Sequence, residues 1–471
     1  MSQASKNRGD GGLGPLVAIG AASVLASLDL FVVNLAFSSI GASFPAASPQ
    51  ALTWVLNAYG VVFAALLVPS GRLADRFGRK RLFRLGLLAF GAGSLGAAIA
   101  PDVVTLIVAR GLQGAGAALV VPTSLALLLA AYPQERHKRM VSLWAAAGSV
   151  AAATGPVLGG VLTQYDWRWI FLINLPIAAL SLFLATGLEE TATLDAKVPD
   201  LFGSALLVTG VGALVTAVSY VTEWGFADPW WWAVLTAGAV ALAWLLRRCL
   251  AHEAPAVDLR VLRVPSFTVA TLGMACFYVG FSIMLLGCSL FLTEVWAWTP
   301  VLAGLGFASG PATAVVTALI AGRVSLEPRR LAGLGGIFFL AAGILWFFLL
   351  TEQAGYFPVY LAGTVLTGAG AGIAQTGFLA GGVSGLPPQE YATGTGVLNA
   401  SRQVGGAIGV AILISVTGGG SDANSYRTAW AVMAAAGLIA ALCALTLRDR
   451  DAPGAPPHGT AEDRETVGGR A

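Results

Sequence analysis

Charge is what this sequence has least of. Only 11% of its 471 residues are Asp, Glu, Lys or Arg, against about 25% in an ordinary soluble domain. With 56% of residues hydrophobic, a folded body of this size has too few polar groups to cover itself in water. Cysteine is also scarce. Cys249, Cys276, Cys288 and Cys443 lie in or beside apolar runs and form no CxxC pair. That excludes a disulfide framework and favours small buried hydrophobes. The three histidines, His137, His252 and His458, sit in polar stretches without metal-ligand spacing, so no metal or other cofactor is expected. No GxxxxGK[ST] occurs, which argues against an ATP-driven pump. A GxGxxG string at residues 91–96 is inside an apolar run with no strand before it, so it is no dinucleotide site. Asn399-Ala-Ser401 spells a glycosylation acceptor, also within an apolar run, and is equally empty. A net charge of +3 gives no basic domain for nucleic acid, and no enzyme chemistry is expected.

What the chain has instead is long apolar segments and 59 glycines. A span needs about 20 apolar residues. Fourteen segments qualify, at 14–37, 51–70, 82–100, 103–131, 141–163, 168–188, 201–221, 230–250, 266–293, 301–321, 331–351, 357–380, 393–417 and 428–447. The first is too long for a secretory h-region and reads as a true span. The expectation is an all-α membrane protein with short tails at 1–13 and 448–471, the latter disordered. An even number of spans puts both termini on one side. Of the 27 Lys and Arg residues, 23 fall on that side or in the tails, so it is cytoplasmic by the positive-inside rule. Trp54, Trp167, Trp169, Trp224, Trp230, Trp231, Trp232, Trp296, Trp298 and Trp430 mark the opposite boundary, where amphipathic rings prefer to sit.

A faint repeat runs through this pattern. LQGAGA at residues 112–117 returns as LTGAGA at 366–371, and Gly71-Arg72-Leu73 returns as Gly322-Arg323-Val324. Both offsets are near about 250 residues, which relates spans 1–6 to spans 9–14 in the same direction. The reading is two parallel six-helix halves, 14–188 and 264–447, joined by a linker at 189–263 with an inserted helix pair. Parallel repeats are one plan for secondary transporters, with the substrate site between the halves.

Few polar side chains lie deep in the spans, and those few carry the chemistry. Asp29 is the one acid well inside a first-half span, and Arg110 of span 4 reaches the same depth by helix rise, ~1.5 Å per residue. Ionisable groups inside a membrane are costly and usually functional. A carboxylate that alternates between wet and dry surroundings with a cation beside it can bind and release a proton; a structural ion pair fixing spans 1 and 4 is the other reading. Arg402 in span 13 either meets an anionic substrate group or bonds backbone carbonyls. Asn34, Asn57, Gln113, Gln375, Asn399 and Gln403, with Phe31, Trp54 and Tyr59, suit a tolerant pocket for amphiphiles or bridge helices. Gly155, Pro156, Gly159 and Gly160 bend span 5 and let a neighbour approach closely. Glu294 and Glu223, at outer span ends, are candidate second proton sites.

The motifs now resemble a known family. GRLADRFGRKR at residues 71–81 looks like the loop signature of the major facilitator superfamily, and RGLQGAG at 110–116 resembles its span 4 signature. GPVLGG at 155–160 is similar to the span 5 signature associated with antiporters. LDLFVVNLA at 28–36, WRWIFLINLP at 167–176 and the stretch 394–411 resemble the fourteen-span drug/proton antiporter group. The second-half copy of the loop, 322–330, is degenerate. The resemblance implies a monomeric, proton-driven exporter of amphiphilic small molecules in the lipid of a bacterial cell membrane, with Asp29 as proton carrier modulated by Arg110. It also implies a cytoplasmic latch: Gly71, Asp75, Arg76, Gly78 and Arg79, with Asp75 near the start of span 13 and Glu135 pairing the arginines. Lys80, Arg81 and Arg84 are read as lipid-headgroup anchors. The alternatives are a dedicated exporter of one endogenous product and, remotely, a channel or membrane sensor.

Overall fold

The computed structural model describes residues 13–191, 199–252, 255–387 and 390–447, apart from 322, 324, 325, 354, 419 and 421. Fourteen long helices occupy them. The first half holds α1 (Leu13–Ser43), α2 (Pro49–Phe77), α3 (Arg79–Ala98), α4 (Val103–Ala131), α5 (His137–Tyr165) and α6 (Trp169–Gly187). Next come α7 (Leu201–Ser219) and α8 (Pro229–Ala251). The second half holds α9 (Pro265–Val295), α10 (Pro300–Ala321), α11 (Pro328–Leu349), α12 (Tyr356–Val383), α13 (Tyr391–Thr417) and α14 (Ala423–Leu445). Thirteen of these are long and apolar enough to cross a membrane among the described residues. The remaining one, α3, is 20 residues long and opens on Arg79, Lys80 and Arg81, which lower its hydropathy. No strand occurs among the described residues.

The helix starts follow from local chemistry. Ser48, Asp102, Asp200, Thr299 and Asp422 each accept a backbone N–H from the first turn of the helix they precede. Pro49, Pro229, Pro265, Pro300 and Pro328 stand at first helical positions, where no N–H is missed. One expectation needs correction. The basic stretch at 71–81 is not a loop: residues 71–77 end α2, residues 79–81 begin α3, and Gly78 alone separates them. Gly78 takes φ 107°, a left-handed conformation that glycine adopts without strain, and its N–H closes α2 on the Ala74 carbonyl at 3.0 Å.

The internal repeat is built into the packing. Gly114 of α4 lies on the Tyr59 backbone of α2, and Gly116 lies on Gly86 and Phe90 of α3. In the second half, Gly368 of α12 lies on the Gly310 backbone of α10, and Gly370 lies on Gly335 of α11. The same two glycines of each copy thus seat the fourth helix of its half against the second and third. Small residues allow such backbone approach, which replaces hydrophobic driving force in lipid.

The inserted pair is not peripheral decoration of one half. α7 packs on α2 and α13 together, in a cluster of Val61, Val211, Val215, Ala407 and Ala411. The Trp54 ring faces Gly212 of α7, where a Cβ would lie 3.4 Å from it. α8 leans on α7 through Gly210 and Gly238. Its outer side exposes Trp230, Trp232, Val240, Trp244, Leu246 and Leu250, an apolar face suited to lipid.

Candidate transport site

At the centre of the first half, α1 and α4 bring Asp29 and Arg110 into contact, 1% and 2% exposed. Arg110 Nη1 donates to Asp29 Oδ2 at 2.7 Å and Oδ1 at 3.0 Å, and to Gln113 Oε1 at 2.8 Å. Its Nε donates to the Val55 carbonyl of α2 at 2.8 Å. The guanidinium plane lies over Tyr59 at 4.7 Å and near Phe171 at 5.8 Å. Behind the pair, Gln113 Nε2 donates to Ser94 Oγ at 2.7 Å, and Asn174 Nδ2 reaches the same oxygen at 3.3 Å. An ion pair removed from water holds only with good geometry and further hydrogen bonds, and this one has both. Gln113 therefore belongs to the ion-pair network and not to the substrate cavity.

Beside this network is a cavity of about 60 Å³ that both halves line. Leu30 and Asn34 of α1, Leu56, Asn57 and Tyr59 of α2, and Arg110 of α4 face Ser282 and Leu285 of α9 and Gln403, Gly406 and Val410 of α13. Of the residues expected there, Asn34, Asn57, Tyr59 and Gln403 line it. Phe31 instead packs on Gly155 of α5, Trp54 faces α7, and Asn399 Nδ2 is turned back on its own helix to the Thr395 carbonyl at 2.9 Å. Asn34 Nδ2 is likewise committed to the Leu30 carbonyl at 2.6 Å. The Asn57 amide nitrogen has no hydrogen-bond partner.

A second polar group lies on the second half. Tyr278 of α9 donates to Gln375 Oε1 of α12 at 2.8 Å, and the Arg402 guanidinium lies 5.4 Å from the Tyr278 ring centre. Gly405 and Gly409 rest on the carbonyls of Ala275 and Val279, which presses α13 flush against α9. α13 runs unbroken through Arg402, so no opened backbone needs its charge.

On the side away from the termini, the halves meet tightly. Ser38 Oγ donates to Glu294 Oε1 at 2.9 Å and lies 3.2 Å from Thr293 Oγ1. Ser289 Oγ donates to the Asn34 carbonyl at 3.1 Å. Glu294 is on a π-turn, Phe291–Val295, that ends α9; such turns often mark functional sites. Glu223, by contrast, is exposed on the short helix Val221–Trp224, with no barrier to full hydration. α5 continues through Pro156, and its glycines are contact points. Gly159 faces Val32 Cα of α1, and Gly160 lies on the Pro300 carbonyl of α10.

On the terminal side, Arg79 donates to Asp75 Oδ1 through Nη2 at 2.8 Å and Nε at 3.0 Å, one helical turn apart across Gly78. Glu135 does not take Arg79; it is exposed on the turn Gln134–Arg136. α13 begins without a side-chain cap, so Asp75 does not cap it here. Arg76 lies over Phe77 at 5.8 Å. A second carboxylate, Glu190, holds the backbone of the basic run, accepting the N–H of Lys80 at 2.9 Å and of Arg81 at 3.1 Å. Gly71 faces Pro122, with room for a Cβ 3.9 Å from that ring.

Residues 19–410, and again 270–468, match the family model described as Major Facilitator Superfamily. The chain belongs to the major facilitator superfamily. Among relatives of this facilitator, Multidrug resistance protein Stp of Mycobacterium tuberculosis is 34% identical, over 85% of this chain and 75% of the relative. Puromycin resistance protein pur8 of Streptomyces alboniger is 36% identical, over 87% and 82%. Methylenomycin A resistance protein of Streptomyces coelicolor is 34% identical, over 86% of each. Among solved structures, a D-xylose-proton symporter aligns with TM-score 0.68 at 14% identity, over 92% of this chain and 97% of the other. The major facilitator protein is therefore a multi-pass membrane transporter of small molecules and not an enzyme. Ser94, Asn174, Ser38 and Tyr278 escaped sequence reasoning. Ser94 lies in the GxGxxG string set aside as a decoy, and Asn174 within WRWIFLINLP, so only Asn174 had a visible signal.

Proposed function

We propose that this protein is a proton-coupled exporter of amphiphilic small molecules that works by alternating access. One observation carries the reading: an ion pair 1–2% exposed, Asp29 with Arg110, beside a cavity lined by both halves. The face rich in Lys and Arg is placed in the cytoplasm by the positive-inside rule. The tight seam at Ser38–Glu294 and Gly160–Pro300 is then the closed outer gate, and substrate enters from within. When the outer gate opens, a proton reaching Asp29 neutralises it and releases Arg110, whose bonds to Val55 and Gln113 are retained. Return of the proton to the cytoplasm restores the pair. A proton moving inward yields about 2.3 kcal/mol per 100 mV. Drug and antibiotic resistance among the relatives supports export as the direction.

The test is pH-driven export from proteoliposomes with a panel of amphiphiles. Asp29→Asn is expected to abolish coupling in the protein that is recovered folded and reconstituted; unchanged coupling would remove Asp29 from the mechanism. A second reading, export of one endogenous product, draws on relatives named for single antibiotics. Resistance to one compound in the panel supports it, and broad resistance supports the first.

A further inference from the structure

We infer that Arg402 is the docking point for an anionic group, so that the preferred substrates are amphiphiles carrying a carboxylate or sulfonate. This rests on the transport reading above and names the substrate class for the same cavity. Every other formal charge near the cavity is answered. Asp29 is held by Arg110, and at the outer seam Glu294 receives the Ser38 hydroxyl. Among the described ion pairs none includes Arg402; its guanidinium lies over the Tyr278 ring and hydrogen-bonds the same residue's hydroxyl. A guanidinium within a membrane span is costly and usually functional, and one tyrosine hydroxyl engages only part of its five-donor fork.

Its position fits substrate contact. Gly406 and Ser282 are both in the cavity wall, close enough that a Cβ at Gly406 would lie 3.1 Å from the Ser282 hydroxyl. Arg402 and Tyr278 each precede them by four residues, so they form the next turn of the same wall, toward the terminal face. Asn57, 2% exposed, lines the cavity with an amide nitrogen that has no partner. Half a turn of that amide adds a second donor to the first. The wall thus offers donors and one positive charge, and no carboxylate free to hold a cation. Because the anion site is separate from Asp29, coupling passes through opening and closing of the seam, not through competition for one carboxylate.

The experiment measures equilibrium binding of two xanthene dyes to the purified full chain by fluorescence polarisation: anionic fluorescein and cationic rhodamine 123. Wild type is expected to bind fluorescein about tenfold more tightly or better, a ratio that Arg402→Gln erases by weakening fluorescein alone. Arg402→Lys is expected to keep part of the preference. Equal affinities, a preference for rhodamine 123 or no fluorescein binding in wild type would overturn the inference, whether or not the variants fold. An unchanged ratio in Arg402→Gln would overturn it too. Absence of pH-driven flux of either dye in vesicles counts against the transport reading instead and leaves the binding preference standing.

Discussion

Gly160 of α5 lies on the backbone carbonyl of Pro300, and one turn along α10, Gly304 lies on the carbonyl of Pro156. The contact is reciprocal, backbone on backbone, and joins the two halves where the outer seam is closed. A methyl on either glycine has nowhere to go without separating α5 from α10. Overpacking of this kind costs about 1–3 kcal/mol. Gly160→Val is expected to hold the seam apart and cut export about tenfold or more, with the folded protein still recovered. Gly304→Val is expected to do the same, and the double variant little more, because one gap accommodates both. Export rates of the two single variants and the double check this.

The Asp29–Arg110 pair is expected to behave as a unit. Removing one partner leaves a buried charge uncompensated, at a cost of about 3–5 kcal/mol. Arg110→Gln should therefore destabilise the protein strongly, and Asp29→Asn with Arg110→Gln should recover much of that loss. Arg110→Lys should not substitute, since one ammonium cannot reach Asp29, Gln113 and the Val55 carbonyl with the same fork. Thermal unfolding in detergent of wild type, Asp29→Asn, Arg110→Gln, Arg110→Lys and the double variant measures the coupling; additive losses would contradict it.

The hydroxyl of Ser38 closes the outer seam on Glu294. Losing a hydrogen bond to a charged group costs about 1.5–3 kcal/mol, so Ser38→Ala should shift the protein toward an opened seam. On a cysteine-free background, Thr293→Cys should then label faster from outside when Ser38→Ala is added. Glu294→Gln retains an acceptor and should open the seam less. If Glu294 also carries a proton, that variant lowers coupling even though the seam stays closed.

Asp200 caps α7 through Gly203 N–H at 2.9 Å and accepts from Arg248 Nε at 2.6 Å. Burial pushes its carboxyl up, but the Gly203 and Arg248 hydrogen bonds outweigh this and hold it below the ordinary carboxylate range. Its folded pKa is therefore below its unfolded one. The stability it contributes is complete above about pH 4 and lost as pH falls through the folded value. Asp200→Asn should lower the melting temperature at pH 7, with the gap to wild type narrowing below about pH 4. A gap constant with pH would show that the cap, and not the charge, is what matters.

Much of the architecture was legible because lipid imposes a simple rule on sequence. Each span must be apolar for about 20 residues, so helix number could be read directly. Asp29 and Arg110 stood out for the same reason: a charge in such a run is rare. The cavity was legible only by half. Asn34, Asn57, Tyr59 and Gln403 line it, whereas Gln113, Trp54 and Asn399 face elsewhere, because helix rise gives depth and says nothing certain about azimuth. Gly and charge in the basic stretch predict a loop, whereas two helices meet at Gly78 instead.

The sequence by itself determined the number of spans, the repeat that pairs the halves, and the depth of the two charges, since hydropathy and the fixed rise of a helix need no partner. Only the tertiary structure decided which partners the polar groups have. It assigned Arg79 to Asp75 and not to Glu135, set Gln113 behind Arg110, and placed Arg402 on Tyr278 with no acid partner among the described residues. Those assignments depend on how helices far apart in sequence rotate against one another. That rotation is decided by glycines such as Gly114, Gly160 and Gly405 meeting a neighbouring backbone, a contact that no local pattern records.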